Sequence, residues 1–258
     1  MNIFHTVILS IVEGITEFLP VSSTGHLILT SKLLGIPETE FVKTFEIFIQ
    51  LGAIMAVVSL YFKKIMQKPQ LLRPIIIAFI PTGILGLIFY KIIKTYLLGN
   101  DMIVVVSLAV VGLLLILIES WWKKHPAKTH KTMETLTVPQ LVIVGLFQSV
   151  AMIPGVSRSA STIIGGMFMG MPRVEAVEFS FLLAVPTMAA ATGLDLLKSI
   201  HVLTHGNLLL LAVGFIVSWI VAAFVIKAFI QFVKHKTFIG FGAYRIIAAA
   251  VYWFVTKG

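Results

Sequence analysis

The residues able to do chemistry in this chain gather in two stretches, EGITEFLPVSSTGH from Glu13 to His26 and PGVSRSAST from Pro154 to Thr162. Glu13 and Glu17 are four residues apart, so on a helix they share one face and together could hold a hard divalent cation through oxygen ligands. Ser22, Ser23 and Thr24 follow a proline, where at least one hydroxyl is expected to cap the second half of a broken helix. Ser23 has His26 three residues on, one turn away, where the imidazole could accept its proton; an activated water or His26 itself as nucleophile are the alternatives. Arg158 carries a permanent charge in apolar surroundings and needs an anionic partner, either a phosphate matched to its fork or the Glu17 carboxylate. Ser157, Ser159 and Thr162, with nearby backbone N–H groups, could complete an anion nest, although Thr162 could equally cap a helix.

Other polar residues lie in apolar stretches without forming a motif. Glu46 and Gln50, again one turn apart, are expected to line the same cavity and support the acidic pair, with Glu178 doing the same from a later segment. Arg245 could bind phosphate or pair with an acid. His201 and His205 have a zinc-like spacing, but no third ligand is visible, so a metal site is not expected there.

These residues must be positioned by membrane-embedded elements. The mean hydropathy is +1.01, and with 12% charged side chains the chain cannot cover a soluble domain of 258 residues with polar surface. The net charge of +9 comes from 20 Lys and Arg against 11 acids; in an apolar chain such an excess marks cytoplasmic loops, and no basic run is interleaved with aromatics as a nucleic-acid surface would be. Cysteine is absent, which excludes disulfides and thiolate chemistry. No Lys or Arg precedes Lys32, and Glu13 sits inside the first apolar stretch, contrary to the charge order of a cleavable signal peptide.

Apolar runs long enough to cross a bilayer as helices, roughly 20 residues, number six: Phe41 to Phe62, Pro74 to Lys91, Met102 to Trp121, Val174 to Leu197, Leu208 to Ile230 and Phe238 to Phe254. Two further apolar regions, Ile3 to Gly35 and Val138 to Gly170, are broken near their middles by proline, glycine and hydroxyls, as re-entrant hairpins would be. The polar stretch 122–139 divides the chain into 1–121 and 140–258, each a broken hairpin followed by three spans. At a constant offset of 135, Glu13 falls on Gln148, Val21 on Val156, Ser22 on Ser157 and Ser23 on Arg158. An odd number of crossings per half makes the repeats inverted, and in such folds broken helices meet near the midplane and aim N–H groups at anions. The Lys-rich loops around Lys64, Lys124 and Lys234 are expected in the cytoplasm and both termini outside.

The glutamate pair, the strings LPVSSTGH (Leu19 to His26) and PGVSRSAST, and the flanking FEIFIQLGA (Phe45 to Ala53) and EFSFLLAVP (Glu178 to Pro186) together resemble the bacterial undecaprenyl-diphosphate phosphatase family of the bacitracin-resistance type. The resemblance covers essentially the whole chain. It implies an all-α enzyme of the bacterial plasma membrane with inverted repeats and two re-entrant segments. Such an enzyme removes the terminal phosphate of a polyprenyl diphosphate at the outer face, recycles the lipid carrier for peptidoglycan synthesis and confers bacitracin resistance. On this reading Glu17, Ser23, His26 and Arg158 are catalytic. Ser22, Thr24, Ser157, Ser159 and Thr162 join Arg158 in holding phosphate, while Glu13 and Glu17 hold Mg²⁺ or Ca²⁺. The competing reading is a secondary transporter or flippase of an anionic lipid, since inverted repeats with broken helices also serve transport. Glycine-rich faces at Gly165-Gly166 and Gly240-Phe241-Gly242 permit close helix packing, either within the chain or in a homodimer.

Overall fold

The structure is a computed structural model that describes residues 1–97, 100–124, 131–198 and 207–257. His201 and His205 lie outside the described residues. Among these residues ten α-helices follow one another: α1 (Ile3–Thr16), α2 (Ser23–Leu33), α3 (Glu40–Gln67), α4 (Leu72–Ile92), α5 (Asp101–Lys124), α6 (Val138–Val150), α7 (Arg158–Phe168), α8 (Arg173–Lys198), α9 (Leu208–His235) and α10 (Ile239–Lys257). Strands are absent among the described residues.

Among the described residues six helices are long and apolar enough to cross a membrane: Glu40–Gln67, Pro69–Ile92, Asp101–Lys124, Arg173–Leu197, Leu208–His235 and Ile239–Thr256. They coincide with the six apolar runs, their ends falling within five residues of the bounds read from the sequence. Their outward faces are apolar rather than charged, as where lipid replaces water. On α4, Ile76, Ile80, Ile84 and Ile88 are all exposed at four-residue spacing, which places them on one stripe. On α9, Ile216, Ile220 and Phe224 do the same. The protein is a multi-pass membrane protein.

The four shorter helices make two pairs, α1 with α2 and α6 with α7, and each pair is interrupted where proline, glycine and hydroxyls stand. Among the described residues only Ser22 and Ser157 combine a side chain other than glycine's with positive φ, at 73° and 81°. Both are N-caps of the helix that follows: Ser22 accepts from the Gly25 N–H and Ser157 from the Ala160 N–H. Residues held in such backbone persist only where their surroundings fix them, and they cluster at functional sites. The two serines stand 135 residues apart, so the break is built the same way twice.

The main packing contacts are preserved when the first five helices are exchanged for the last five. α1 lies along α9, and α6 lies along α4; α3 packs on α8, and α5 on α10. The α5–α10 contact is closest at a reciprocal glycine pair. A Cβ on Gly112 would come within 2.8 Å of the Gly242 carbonyl oxygen, and one on Gly242 within 2.5 Å of the Gly112 carbonyl oxygen. Of the glycine faces read from the sequence, Gly242 packs on Gly112, Gly165 on Phe147 and Gly166 on Ala176, while a Cβ on Gly240 would meet nothing within 4 Å. The largest core runs from Phe18 in the first break through Ala53 and Val57 of α3 and Phe179 to Leu183 of α8 to Phe229 of α9. It clamps the breaks between full-length helices.

Candidate active site

The first break begins where α1 ends at Glu17, whose N–H still donates to the Glu13 carbonyl at 2.9 Å. Phe18 turns inward, is fully buried and meets Phe181 of α8 edge-on, with centroids 5.3 Å apart. The chain then turns through Leu19 to Val21 and restarts as α2 at Ser23. The second break runs from Ala151 through Gly155, which has φ +90°, and restarts as α7 at Arg158. The breaks touch directly: the Ser159 hydroxyl donates to the Phe18 carbonyl at 2.7 Å, and the Arg158 guanidinium lies 5.6 Å from the Phe18 ring centroid.

Between the breaks lies a cleft of about 130 Å³, its polar lining supplied by Glu17, Ser22, Ser23, Thr24, Gln50, Ser157 and Arg158. Glu17 is at its centre. One carboxylate oxygen accepts from the Ser23 hydroxyl at 2.6 Å, and the other accepts from Arg158 Nη2 at 3.0 Å. The second guanidinium nitrogen, Nη1, donates to the Ser180 carbonyl of α8 at 2.9 Å. The Arg158–Glu17 pair is nearly buried, with side chains 11% and 5% exposed. Breaking such a pair from one side leaves an uncompensated charge, and that cost holds both side chains in place. Glu13, one turn before Glu17, is completely buried, and both its carboxylate oxygens lack a hydrogen-bond partner among the described residues.

Chemically this is a hydroxyl whose proton is already aligned with a carboxylate, facing a guanidinium across the same carboxylate. Such a set can deprotonate an alcohol nucleophile and neutralise a phosphoryl oxygen. The unpartnered Glu13 oxygens are hard donors of the kind that Mg²⁺ and Ca²⁺ take.

Several residues singled out from the sequence are placed elsewhere. His26 does not meet Ser23. Its Nδ1 is 2.7 Å from the Ser22 carbonyl oxygen, and its Nε2 is 2.7 Å from the Tyr244 hydroxyl, on which the ring stacks. A carbonyl only accepts, so Nδ1 carries the proton and Nε2 accepts from Tyr244. The Ser23 hydroxyl hydrogen-bonds Glu17 and not His26, because the imidazole turns back onto the Ser22 carbonyl. Ser159 and Thr162 are buried and engaged inside the protein rather than in an anion nest. Ser159 ties the breaks together, and the Thr162 hydroxyl bonds Arg158 O, Ser159 O and, at 2.6 Å, the Ser180 hydroxyl. Glu178 bonds Lys64 at 2.5 Å, because the Lys-rich end of α3 lies beside it, and it does not line the cleft. Glu46 accepts from Ser31 at 3.2 Å, while Gln50 one turn on reaches the cleft.

Sequence reasoning passed over Phe18, Ser180, Met188 and Tyr244. Ser180 is the one hydroxyl within the apolar run EFSFLLAVP, the sole signal that could have marked it. Arg245 pairs with no acid among the described residues; it donates to four backbone carbonyls.

In a multi-pass membrane protein, acid, hydroxyl and guanidinium converging between two broken helices define a class suited to handling anionic groups. Residues 6–251 match the model of the family described as bacitracin resistance protein BacA, and the chain belongs to that family. It is 51% identical to an undecaprenyl-diphosphatase of Aquifex aeolicus over 252 residues, covering 98% of each chain. Identity to the undecaprenyl-diphosphatases of Persephonella marina and Wolinella succinogenes is 50% and 46% over 254 residues, again with 98% of each chain covered.

Proposed function

We propose that the protein is an undecaprenyl-diphosphatase, hydrolysing undecaprenyl diphosphate to undecaprenyl phosphate and inorganic phosphate and so returning the lipid carrier to cell-wall synthesis. The observation that carries the chemistry is the bridging of Ser23 and Arg158 by one carboxylate, Glu17. Family membership and full-length similarity to proteins named for this reaction carry the substrate.

In the mechanism the terminal phosphate enters the cleft and takes over the Nη2 hydrogen bond of Arg158, while Nη1 stays on the Ser180 carbonyl and keeps the guanidinium plane fixed. Released from Arg158, Glu17 becomes the stronger base. It takes the Ser23 proton as Oγ attacks the terminal phosphorus, the bridging P–O bond breaks, and undecaprenyl phosphate leaves with the bridging oxygen. Glu17 passes that proton to the departing lipid phosphate, then takes one from the water that attacks the phosphoserine and returns it to Ser23 Oγ as inorganic phosphate leaves. Arg158 faces oxygens whose charge rearranges as the bond breaks, so the cleft acts by positioning and neutralisation, as phosphoryl transfer requires. Ser22, Thr24 and Ser157 supply hydroxyl donors to the remaining oxygens, and Gln50 closes the wall. His26 and Tyr244 hold the start of α2 in place.

The acidic pair fits a divalent cation, Mg²⁺ or Ca²⁺, held by Glu13 and Glu17; the buried, unpartnered oxygens of Glu13 support this. Bound there, the cation would supply charge neutralisation of the diphosphate. The two broken pairs are re-entrant hairpins within inverted repeats of the plasma membrane, a reading supported by the paired left-handed serines and the exchange-related packing. The cleft then opens to the outer face, with the Lys-rich ends of α3, α5 and α9 in the cytoplasm.

The test is phosphate release from undecaprenyl diphosphate by purified protein in detergent, with Mg²⁺, with Ca²⁺ and with chelator. Turnover that depends on cation is expected. No turnover under any cation, with movement of anionic lipid between leaflets of proteoliposomes, would return the protein to the transporters.

A further inference from the structure

Arg245 of α10 is, among the described residues, the largest side chain with no exposure at all. A buried guanidinium lacking a counter-charge is costly unless its N–H groups are satisfied, and among the described residues no carboxylate pairs with it. Its partners are four carbonyl oxygens. Nη1 donates to Pro20 at 3.1 Å, and Nη2 donates to Gly155 at 2.6 Å and to Ser107 at 3.3 Å; Nε donates to Leu108 at 3.4 Å.

Pro20 and Gly155 are themselves 135 residues apart. They are therefore the corresponding positions of the two breaks, and one guanidinium holds both. Pro20 lies three residues before Ser23, and Gly155 lies three residues before Arg158. A broken helix frees carbonyls that lipid cannot satisfy, so each break needs a donor from another element. Ser107 and Leu108 belong to α5, which is locked to α10 through the Gly112–Gly242 contact. The guanidinium thus ties both breaks to a rigid two-helix frame that takes no part in the cleft lining.

We propose that Arg245 is a positioning residue for the phosphatase reaction, setting the spacing between Ser23 and Arg158 by clamping the carbonyl three residues upstream of each. This rests on the function proposed above. It also explains why arginine stands here: a planar fork reaches carbonyls from opposite sides at once, whereas an ammonium is a point donor on a flexible stem. Displacement of reacting groups by about 1 Å from a remote change costs on the order of 100-fold in rate.

The experiment compares the wild-type full chain with Arg245→Lys and Arg245→Gln in detergent, reading thermal midpoint, kcat, KM and backbone hydrogen exchange. In Arg245→Lys, kcat should fall by about 10- to 100-fold while KM changes by less than about threefold. Exchange should rise together in peptides spanning 17–25 and 151–160, with α5 and α10 unchanged. A kcat within about twofold of wild type in a folded Arg245→Lys protein would overturn the proposal. So would exchange rising throughout α5 and α10, or failure of both variants to fold, since the arginine would then hold the fold and not the spacing. Absence of turnover in the wild type would sink the phosphatase reading alone and leave the clamp to be judged by exchange.

Discussion

Arg158→Lys tests whether the guanidinium acts on the transition state or only anchors substrate. In the structure the fork is divided: Nη1 is fixed on the Ser180 carbonyl at 2.9 Å and Nη2 on Glu17 at 3.0 Å. A lysine keeps the charge but cannot span both partners, so either the α8 anchor or the phosphate contact is lost. Removing one preorganised donor from a developing charge costs on the order of 100- to 1,000-fold in kcat, or about 2.7–4 kcal/mol. The side chain is only 11% exposed, so solvent does little to replace the lost donor. The assay is steady-state phosphate release at saturating and subsaturating undecaprenyl diphosphate, with the thermal midpoint measured in parallel. A fall in kcat as large as that in kcat/KM is expected. A near-normal kcat with only a raised KM would refute the transition-state role and leave Arg158 as a substrate anchor.

Glu17→Gln keeps the size but removes the base of Ser23 and the partner of Arg158, so kcat should fall by about 1,000-fold or more, and wild-type turnover in this variant would exclude Glu17 as base. Glu13→Gln should raise the cation concentration needed for half-maximal activity by at least about tenfold. An unchanged cation profile would exclude Glu13 as a ligand. For topology, single cysteines in this cysteine-free chain at Glu38 and Lys124, both exposed, should be labelled by an impermeant thiol reagent on intact cells at Glu38 only. Labelling at Lys124 alone would invert the proposed orientation.

The six long helices were legible because the length and apolarity of a span are carried by composition alone. The interruptions were legible because proline, glycine and hydroxyls cannot continue an apolar helix unnoticed. The meeting of Glu17 with Arg158 followed from charge, since each needed a partner and few were available. Other features left no such trace. Which hydroxyl faces the cleft and which ties backbone together depends on turns set by Ser22 and Ser157, whose left-handed φ is unusual for serine. Hence Ser157 lines the cleft while Ser159 and Thr162 are engaged inside the protein. His26 was assigned to Ser23 on spacing alone, but spacing does not fix χ angles, and a backbone carbonyl captured its ring. Arg245 was illegible for the same reason: every residue offers a carbonyl, so no residue type marks an arginine's backbone partners.

In the proposed mechanism Ser23, activated by Glu17, attacks the terminal phosphorus. The most direct measurement is rapid acid quench of turnover on undecaprenyl diphosphate radiolabelled in its terminal phosphate, followed by mapping of any label on the protein. Label is expected on the peptide carrying Ser23 in the wild type, and neither label nor turnover in Ser23→Ala. Turnover retained in Ser23→Ala, with no labelled protein at any time in either form, would contradict it and give the attack to water.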